Sequence, residues 1–459
     1  MRPYAKTLRA FSYPALLFGA TVLGGCDDPF IPDFNNPSLV PVIASQAQLQ
    51  AQVSGILAGD REFHAFSILI LETMGRDAYR IDVADPRYLQ HPLGQFSPGA
   101  FIVDFTWNAN YRTIRAAQAL VSGIDASSFS NENKAATRGF ARTMQALQYL
   151  RLIEQRDTLG LPIALGTGAR DAIRCKPVVL DHIIALLDSA KTDLAAGGAA
   201  FPFILPSGFT DFGTFNTPAT FLEFNRALSA KAQLYKGFAA FATGGTINTA
   251  ALNAALTALD ESFESQAAPL RNGVYHVYST RSGDLQNGNF DLTVYRVNPK
   301  VLSQAEAGDR RLSKIRQDPT FQKSVSGASS DIIFTNVSGP TTPLPIVINE
   351  QLILIRAQVL WGLNRDLEAL GIVNFIRQTS GGLLPKLPFV NRLDLLREIL
   401  KQKRYSLLFE SGDRLVDYRM SGLFAELGPE LNPPQVGPTV IPFPQAEIDA
   451  RSNELSCSA

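Results

Sequence analysis

The chain has 459 residues, and its 42 Lys plus Arg are matched by 42 Asp plus Glu. That balance excludes a protein built to hold a polyanion such as nucleic acid, which needs a basic surface. The length would ordinarily suggest two or three domains, yet helical repeat proteins grow without dividing into separate cores, so length alone leaves the domain count open.

In chain order, Arg2, Lys6 and Arg9 precede an apolar stretch from about Phe11 to Val22, which ends at Leu23-Gly24-Gly25-Cys26. Basic, apolar and small-residue segments in that order make a signal peptide over 1–25, and a cysteine directly after small residues is where a lipoprotein signal peptidase cuts. Cys26 is therefore expected to carry lipid as the mature N-terminus. No later segment reaches the ~18 consecutive apolar residues of a membrane helix, so the expectation is a body anchored to a membrane and not embedded in it. Residues 26–41, with four prolines, three acidic residues and Asn35-Asn36, read as an extended tether.

Helical patterns then recur, at about 45–58, 106–123, 178–195, 221–241, 349–363, 365–378 and 393–410. Phe140, Met144 and Leu147 fall at i, i+4, i+7 beside the small residues Ala136, Gly139, Ala141 and Ala146, which let a neighbouring helix come close. Leu252, Ala255, Leu256, Leu259 and Phe263 make a second stripe. Short connections imply antiparallel pairs, and no strict 34-residue consensus repeats. The predicted architecture is mainly α: degenerate tetratricopeptide-like helix pairs in one domain over 42–459, with long irregular loops and few short strands. The loops lie at about 75–105, 196–220, 266–347 and 411–447, and loops of that length inside a compact protein are usually functional.

No catalytic constellation is legible. His64, His91, His182 and His276 are scattered outside any metal-ligand spacing, and there is no G-x-S-x-G elbow or Walker A loop. Gly166-Thr167-Gly168 lacks the third glycine of a phosphate cradle and reads as a turn. Glu410 and Asp413 could suggest the carboxylate pair of a glycosidase. Arg404 and Arg414 close by favour ion pairing instead, with Glu410, Arg414 and Asp417 expected to form one structural cluster at a helix end. Asp284, Asn287, Asn289 and Asp291 loosely suggest a calcium loop but lack the spacing and terminal Glu of an EF-hand; no metal or cofactor is expected. Cys175 and Cys457, outside the cytoplasm, either pair or stay as free thiols.

The loops do carry what a sugar or peptide binder needs, aromatic rings for stacking and Asn, Asp and Arg for directional hydrogen bonds. Asp77, Tyr79, Arg80 and Tyr88 supply that mixture in the early loop, and Tyr275, Tyr278, Asn287, Phe290 and Tyr295 in the middle one. The expectation is that the two segments line one ligand surface.

Several stretches resemble the SusD/RagB family in chain order. Trp107-x3-Tyr111-x2-Ile114 matches a W-x3-Y-x2-I helix, with Gln118 where asparagine is usual. Ala135 to Leu165, with Arg138, Ala146, Tyr149, Leu152 and Gly160-Leu161-Pro162, is similar to the family's early repeat helix and G-x-P turn. Asn349-Glu350, Leu354-Ile355-Arg356-Ala357 and Asn374-Phe375-Ile376-Arg377 resemble its late helix pair. Glu398 to Arg419 follows an E-R-R-x-E-L-x-x-E-G-x-R-x-x-D-L-R pattern through Lys403-Arg404, Phe409-Glu410, Arg414 and Asp417-Tyr418-Arg419, with Ser411 inserted, and Ile441-Pro442-Phe443-Pro444 to Ile448 resembles its closing tail. These are scaffold motifs, and the family's ligand contacts vary too much to carry over. The resemblance implies an outer-membrane lipoprotein that captures an oligosaccharide or another nutrient, without chemistry, and passes it to a SusC-like TonB-dependent barrel. A scaffold that binds only its protein partner and a surface glycosidase are the rival readings.

Overall fold

A computed structural model describes residues 42–165, 171–435, 437–452 and 454–458. The lipobox, the tether and Gly166-Thr167-Gly168 lie outside them. Thirteen α-helices occur among the described residues: α1 Gln46–Met74, α2 Arg87–Leu93, α3 Phe101–Asp125, α4 Asn131–Arg156, α5 Lys176–Ala195, α6 Pro218–Phe238, α7 Thr249–Asp260, α8 Pro299–Ser303, α9 Asn349–Gly362, α10 Asp366–Ile376, α11 Arg392–Ser406, α12 Asp413–Met420 and α13 Gln445–Ala450. Their starts follow capping chemistry. Ser45, Ser130, Asn248 and Asn391 each accept an N–H of the first turn, and Thr217 with Thr220 closes a reciprocal capping box.

Helices α3 to α7 pack each on the next, α1 lies on α3, and α9 joins α7, α10 and α11. The small residues at the α4–α5 crossing do what their size allows: a Cβ at Gly139 would lie 2.5 Å from Leu194 Cγ. Without it the two backbones close on a core that includes Phe140, Met144, Leu187, Phe221 and Leu252, all fully covered. Each such side chain stabilises the fold by about 1.5–3 kcal/mol.

The long middle loop is more structured than its composition implies. Ten short strands occur among the described residues: β1 Ala78–Arg80, β2 Leu161–Pro162, β3 Ile173–Arg174, β4 Gly273–His276, β5 Tyr295–Val297, β6 Ile315–Gln317, β7 Lys323–Val325, β8 Ala328–Ser330, β9 Ile332–Phe334 and β10 Leu344–Ile348. They form five antiparallel two-stranded ribbons, β1–β5, β2–β3, β4–β10, β6–β9 and β7–β8. A two-stranded ribbon is marginal by itself; here the ribbons lie on helices, as Val274 and Val347 do in the main core. The early loop likewise contains β1 and α2.

The helix expected over 393–410 stops at Ser406. Phe409 takes φ 58° and Gly412 φ 71°, so the chain turns before α12 begins at Asp413. Glu72 of α1 accepts the Gly412 N–H at 3.0 Å, and a Cβ on Gly412 would meet Leu71 at 2.6 Å, which is why the turn needs glycine there.

Distant sequence motifs meet in this scaffold. Trp107 packs on Tyr111 at 4.6 Å between ring centroids and edge-on against Phe443 of the C-terminal tail at 5.5 Å. Cys457 is disulfide-bonded to Cys175 at the start of α5, and Ser458 bridges to Arg174, so the end of the chain is clasped to the helical body.

Candidate functional site

The two loop segments predicted to share a surface do come together, but as a strand pair. In β1–β5, Tyr79 faces Arg296 and Arg80 faces Tyr295. Pairing buries most of the predicted residues. Asp77 is 1% exposed and accepts from Arg404 at 2.7 Å and from Arg414, joining α1's end to α11 and α12. Tyr79 is 2% exposed, with its hydroxyl on Glu430. Asn287 is covered, holding Asn289 N and Thr342 O.

Tyr275 lies apart from that ribbon on β4, whereas Tyr278, just beyond β4, packs in the same buried cluster as Ala78, Tyr295 and Val297 of the ribbon. Tyr275 is buried, stacked on Phe212 at 4.1 Å and donating to Arg271 O; burial pushes its hydroxyl up to about 12. Tyr278 is also buried. The expectation of one surface lined by all of these residues is corrected to this extent: Asp77, Tyr79, Asn287, Tyr275, Tyr278 and Tyr295 are packing residues, because ribbon pairing, core packing and ion pairing take them inward.

What remains at the surface is Arg80 and Tyr88, and they belong to a longer aromatic strip. The Arg80 guanidinium lies over the Tyr88 ring, 3.2 Å from its centroid, with Tyr295 beneath it at 6.0 Å. Burial pushes the Tyr295 hydroxyl up to about 12. Tyr88 meets Phe101 edge-on at 5.0 Å, and Arg87 covers that ring at 5.4 Å. One turn along α3, Phe105 meets Phe66 of α1 at 5.1 Å. The Asn289 side chain bonds Ala65 O at 2.8 Å, which sets Phe290 beside α1. Tyr88, Phe66, Phe101, Phe105 and Phe290 are all half-buried. Asp82, near Arg80, and Asp85, bidentate to Arg87 at 2.8 Å, supply acceptors along one edge.

Sequence reasoning missed Phe66, Phe101 and Phe105. An i, i+4 aromatic pair at 101 and 105 was the available signal, hidden because the helix begins five residues before its first predicted turn.

A buried polar knot joins α1, α4 and β4. Asp60 of α1 accepts from Gln148 at 2.5 Å and from Arg151, both on α4, and pairs with His276 at 2.6 Å. Arg151 donates to His64 Nδ1 at 2.8 Å, which leaves His64 Nε2 to donate to Pro345 O at 2.7 Å. Burial, reinforced by the Arg151 charge, holds His64 well below the ordinary histidine range, and burial also lowers His276.

The carboxylates singled out in the sequence are paired, although not as one cluster. Glu410 pairs with Arg271 at 2.6 Å and Lys314 at 3.3 Å, Arg414 with Asp77, and Asp417 with Lys403 at 2.7 Å. Asp413 pairs with Lys231 at 3.1 Å. The enclosed space that Glu410 lines is about 40 Å³, too small for a sugar ring. Of the oxygen-rich loop, Asp284 binds Arg61, Asn287 and Asn289 hold backbone groups, and Asp291 caps Thr293. Asp284, Asn287 and Asp291 thus each have a side-chain oxygen engaged within the protein.

No family model and no curated protein matches the sequence. Solved structures do match its fold. A SusD superfamily protein from Bacteroides fragilis superposes with a TM-score of 0.66 at 13% identity, over 90% of this chain and 98% of its own. A SusD-like carbohydrate binding protein from the same organism gives 0.63 at 14% identity, over 84% and 88%. A crystal structure with a xylogluco-oligosaccharide gives 0.62 at 15% identity, over 83% and 85%. The chain therefore has the SusD-like fold, as its scattered motifs imply.

Proposed function

We propose that this protein is a non-catalytic binding protein for an oligosaccharide, held on the outer membrane by lipid on Cys26, that hands its ligand to a TonB-dependent barrel. The observation that carries the reading is the half-buried strip of Tyr88, Phe101, Phe105 and Phe66 with Arg80, Arg87, Asp82 and Asp85 at its edges. Half-buried surface rings stack on the apolar faces of sugars, and the flanking charged groups bond hydroxyls. Solved proteins of the same fold described as carbohydrate binding support the choice of ligand. A glycosidase reading is disfavoured because Glu410 and Asp413, the candidate carboxylates, are buried in ion pairs with Arg and Lys.

The test is calorimetric titration of the protein with a panel of neutral oligosaccharides, followed by product analysis after long incubation. Saturable binding with unchanged glycan is expected. Absence of binding to every glycan would leave the scaffold reading, and released shorter sugars would make the protein an enzyme.

A further inference from the structure

A second open space lies on another face of α1. Its volume is about 470 Å³, and one wall is a helix stripe of Gln50, Ser54, Leu57, Ala58 and Arg61. The facing wall is the segment Ile204-Leu205-Pro206, with β4 at the end. The Gln50 side-chain amide accepts from Ile204 N at 2.8 Å and donates to Ile204 O at 3.1 Å, so this wall is braced. Ile204 is nevertheless 80% exposed at the rim.

The chemistry of the groove differs from that of the strip. Leu57, Ala58 and Ile204 are aliphatic, and of the two aromatic rings in its lining, both buried, Tyr275 has one face occupied by Phe212 and His276 is paired with Asp60. Nothing here offers a sugar a stacking platform. The cation is Arg61, at the far end of the stripe from Ser54, seven residues or about 10 Å along the helix. Its Nη1 donates to Val277 O at 3.1 Å and its Nη2 to Asp284, an exposed loop residue. Its Nε is buried with no hydrogen-bond partner among the described residues. Asp284 thus uses one tine of a fork that a carboxylate can grip with two.

We infer that this groove is a second binding site, for a small amphipathic carboxylate: an apolar body about 10 Å long along Leu57, Ala58 and Ile204, with its carboxylate on Arg61 Nε and Nη2 in place of Asp284. The ligand satisfies the orphan Nε–H and covers Ile204, and Asp284 is the competitor it displaces.

Octanoate is the probe, and octanamide, equal in shape but uncharged, is its control. Calorimetry on the whole protein is expected to give saturable octanoate binding at least about tenfold tighter than octanamide, since hydrogen bonds to a charged group are the stronger kind. Arg61→Gln should bring octanoate down to the octanamide level, and Asp284→Asn should tighten octanoate. Ala58→Trp, a change at an exposed helix position, should fill the groove and abolish both. Undiminished octanoate binding in folded Ala58→Trp, equal binding of acid and amide, or no octanoate binding at all would each overturn the inference. Oligosaccharide binding by Ala58→Trp is measured in parallel, so failure here is distinguishable from failure of the proposed function.

Discussion

Tyr79 and Tyr88 stand nine residues apart in one polar, aromatic stretch, and the sequence gives no reason to separate them. The structure places them in opposite roles. Tyr79 lies in a strand whose partner arrives from more than two hundred residues away, and the pairing drives its ring inward and its hydroxyl onto Glu430. Tyr88 lies on the short helix α2, half-buried, with Arg80 on one side and Phe101 on the other. An aromatic in a loop-like segment is therefore a ligand candidate only if no distant strand claims it, and that depends on long-range pairing that local pattern does not encode.

The same sorting applies to the acids, and there it predicts the largest effect. Asp77 is covered and holds Arg404 and Arg414, both themselves nearly buried. Asp85 is exposed enough to leave its bidentate pair with Arg87 in solvent, where such pairs are worth little. Asp77→Ala strands two buried guanidinium groups and is expected to cost about 3–5 kcal/mol, read as a lower urea midpoint. Asp85→Ala should change the midpoint hardly at all. Equal effects from the two would break the comparison.

Much of the scaffold was legible, and the reason is periodicity. The stripes at 140–147 and 252–263 fall in α4 and at α7, and the helix pair after 349 appears almost to the residue. What the stripes could not show was where helices end when a turn needs tertiary support, as at Phe409 and Gly412, or that the proline- and glycine-rich middle segment pairs into ribbons. The candidate site was half legible. Arg80 and Tyr88 were picked out by composition, whereas Tyr295, picked out with them, is buried in the ribbon. Phe66, Phe101 and Phe105 were not, because Phe101 and Phe105 fell in a segment read as loop and Phe66 lay beyond the helix expected at 45–58, so the packing of α1 on α3 was not visible. Likewise Glu410, Arg414 and Asp417 were recognised as ion-pairing residues, but their partners Arg271, Asp77 and Lys403 are set by packing.

A smaller effect sharpens the contrast between covered and open groups through pH. His64 and His276 are held neutral in the fold, so their pKa values lie below the 6.5 of an unperturbed histidine. As the pH falls below 6.5 the unfolded chain takes up protons that the folded one refuses, and stability is lost, by at most about 2 kcal/mol per histidine at pH 5. Asp60, kept below the ordinary carboxylate range by the Arg151 charge and the His276 hydrogen bond against the opposing effect of burial, stays ionised through this window and does not contribute to the slope. Asp417 works the other way: burial pushes it up to about 6, so protonation there favours the fold as the pH drops. The histidine part is isolated by His64→Gln, whose amide can still accept from Arg151 and donate to Pro345 O. The variant's melting temperature should fall less between pH 7 and pH 5 than that of the parent chain, and an identical fall would mean that His64 does not carry the slope.

The smallest expected effect on stability belongs to the strip, and it bears most directly on function. Tyr88 is half-buried and rests on Phe101 and Arg80, so its removal uncovers little core and should cost about 1 kcal/mol or less, the usual range for a surface substitution away from packing. Yet it holds Arg80 in place through a cation–π contact, and its ring is left half-buried at the surface. Tyr88→Ala therefore removes a stacking surface and frees the guanidinium that would bond the adjoining hydroxyls. Oligosaccharide affinity is expected to fall about tenfold, in line with loss of roughly 1.4 kcal/mol of contact and orientation. Tyr88→Phe keeps the ring and the cation contact and should bind nearly as the parent does, which separates stacking from any role of the hydroxyl. Tyr79→Phe is the matched control: it drops the Glu430 hydrogen bond, so it should lower the urea midpoint while leaving affinity untouched. Parent-like affinity in a well-folded Tyr88→Ala, or lost affinity in a well-folded Tyr79→Phe, would reverse the assignment of the two tyrosines and move the ligand surface away from the strip.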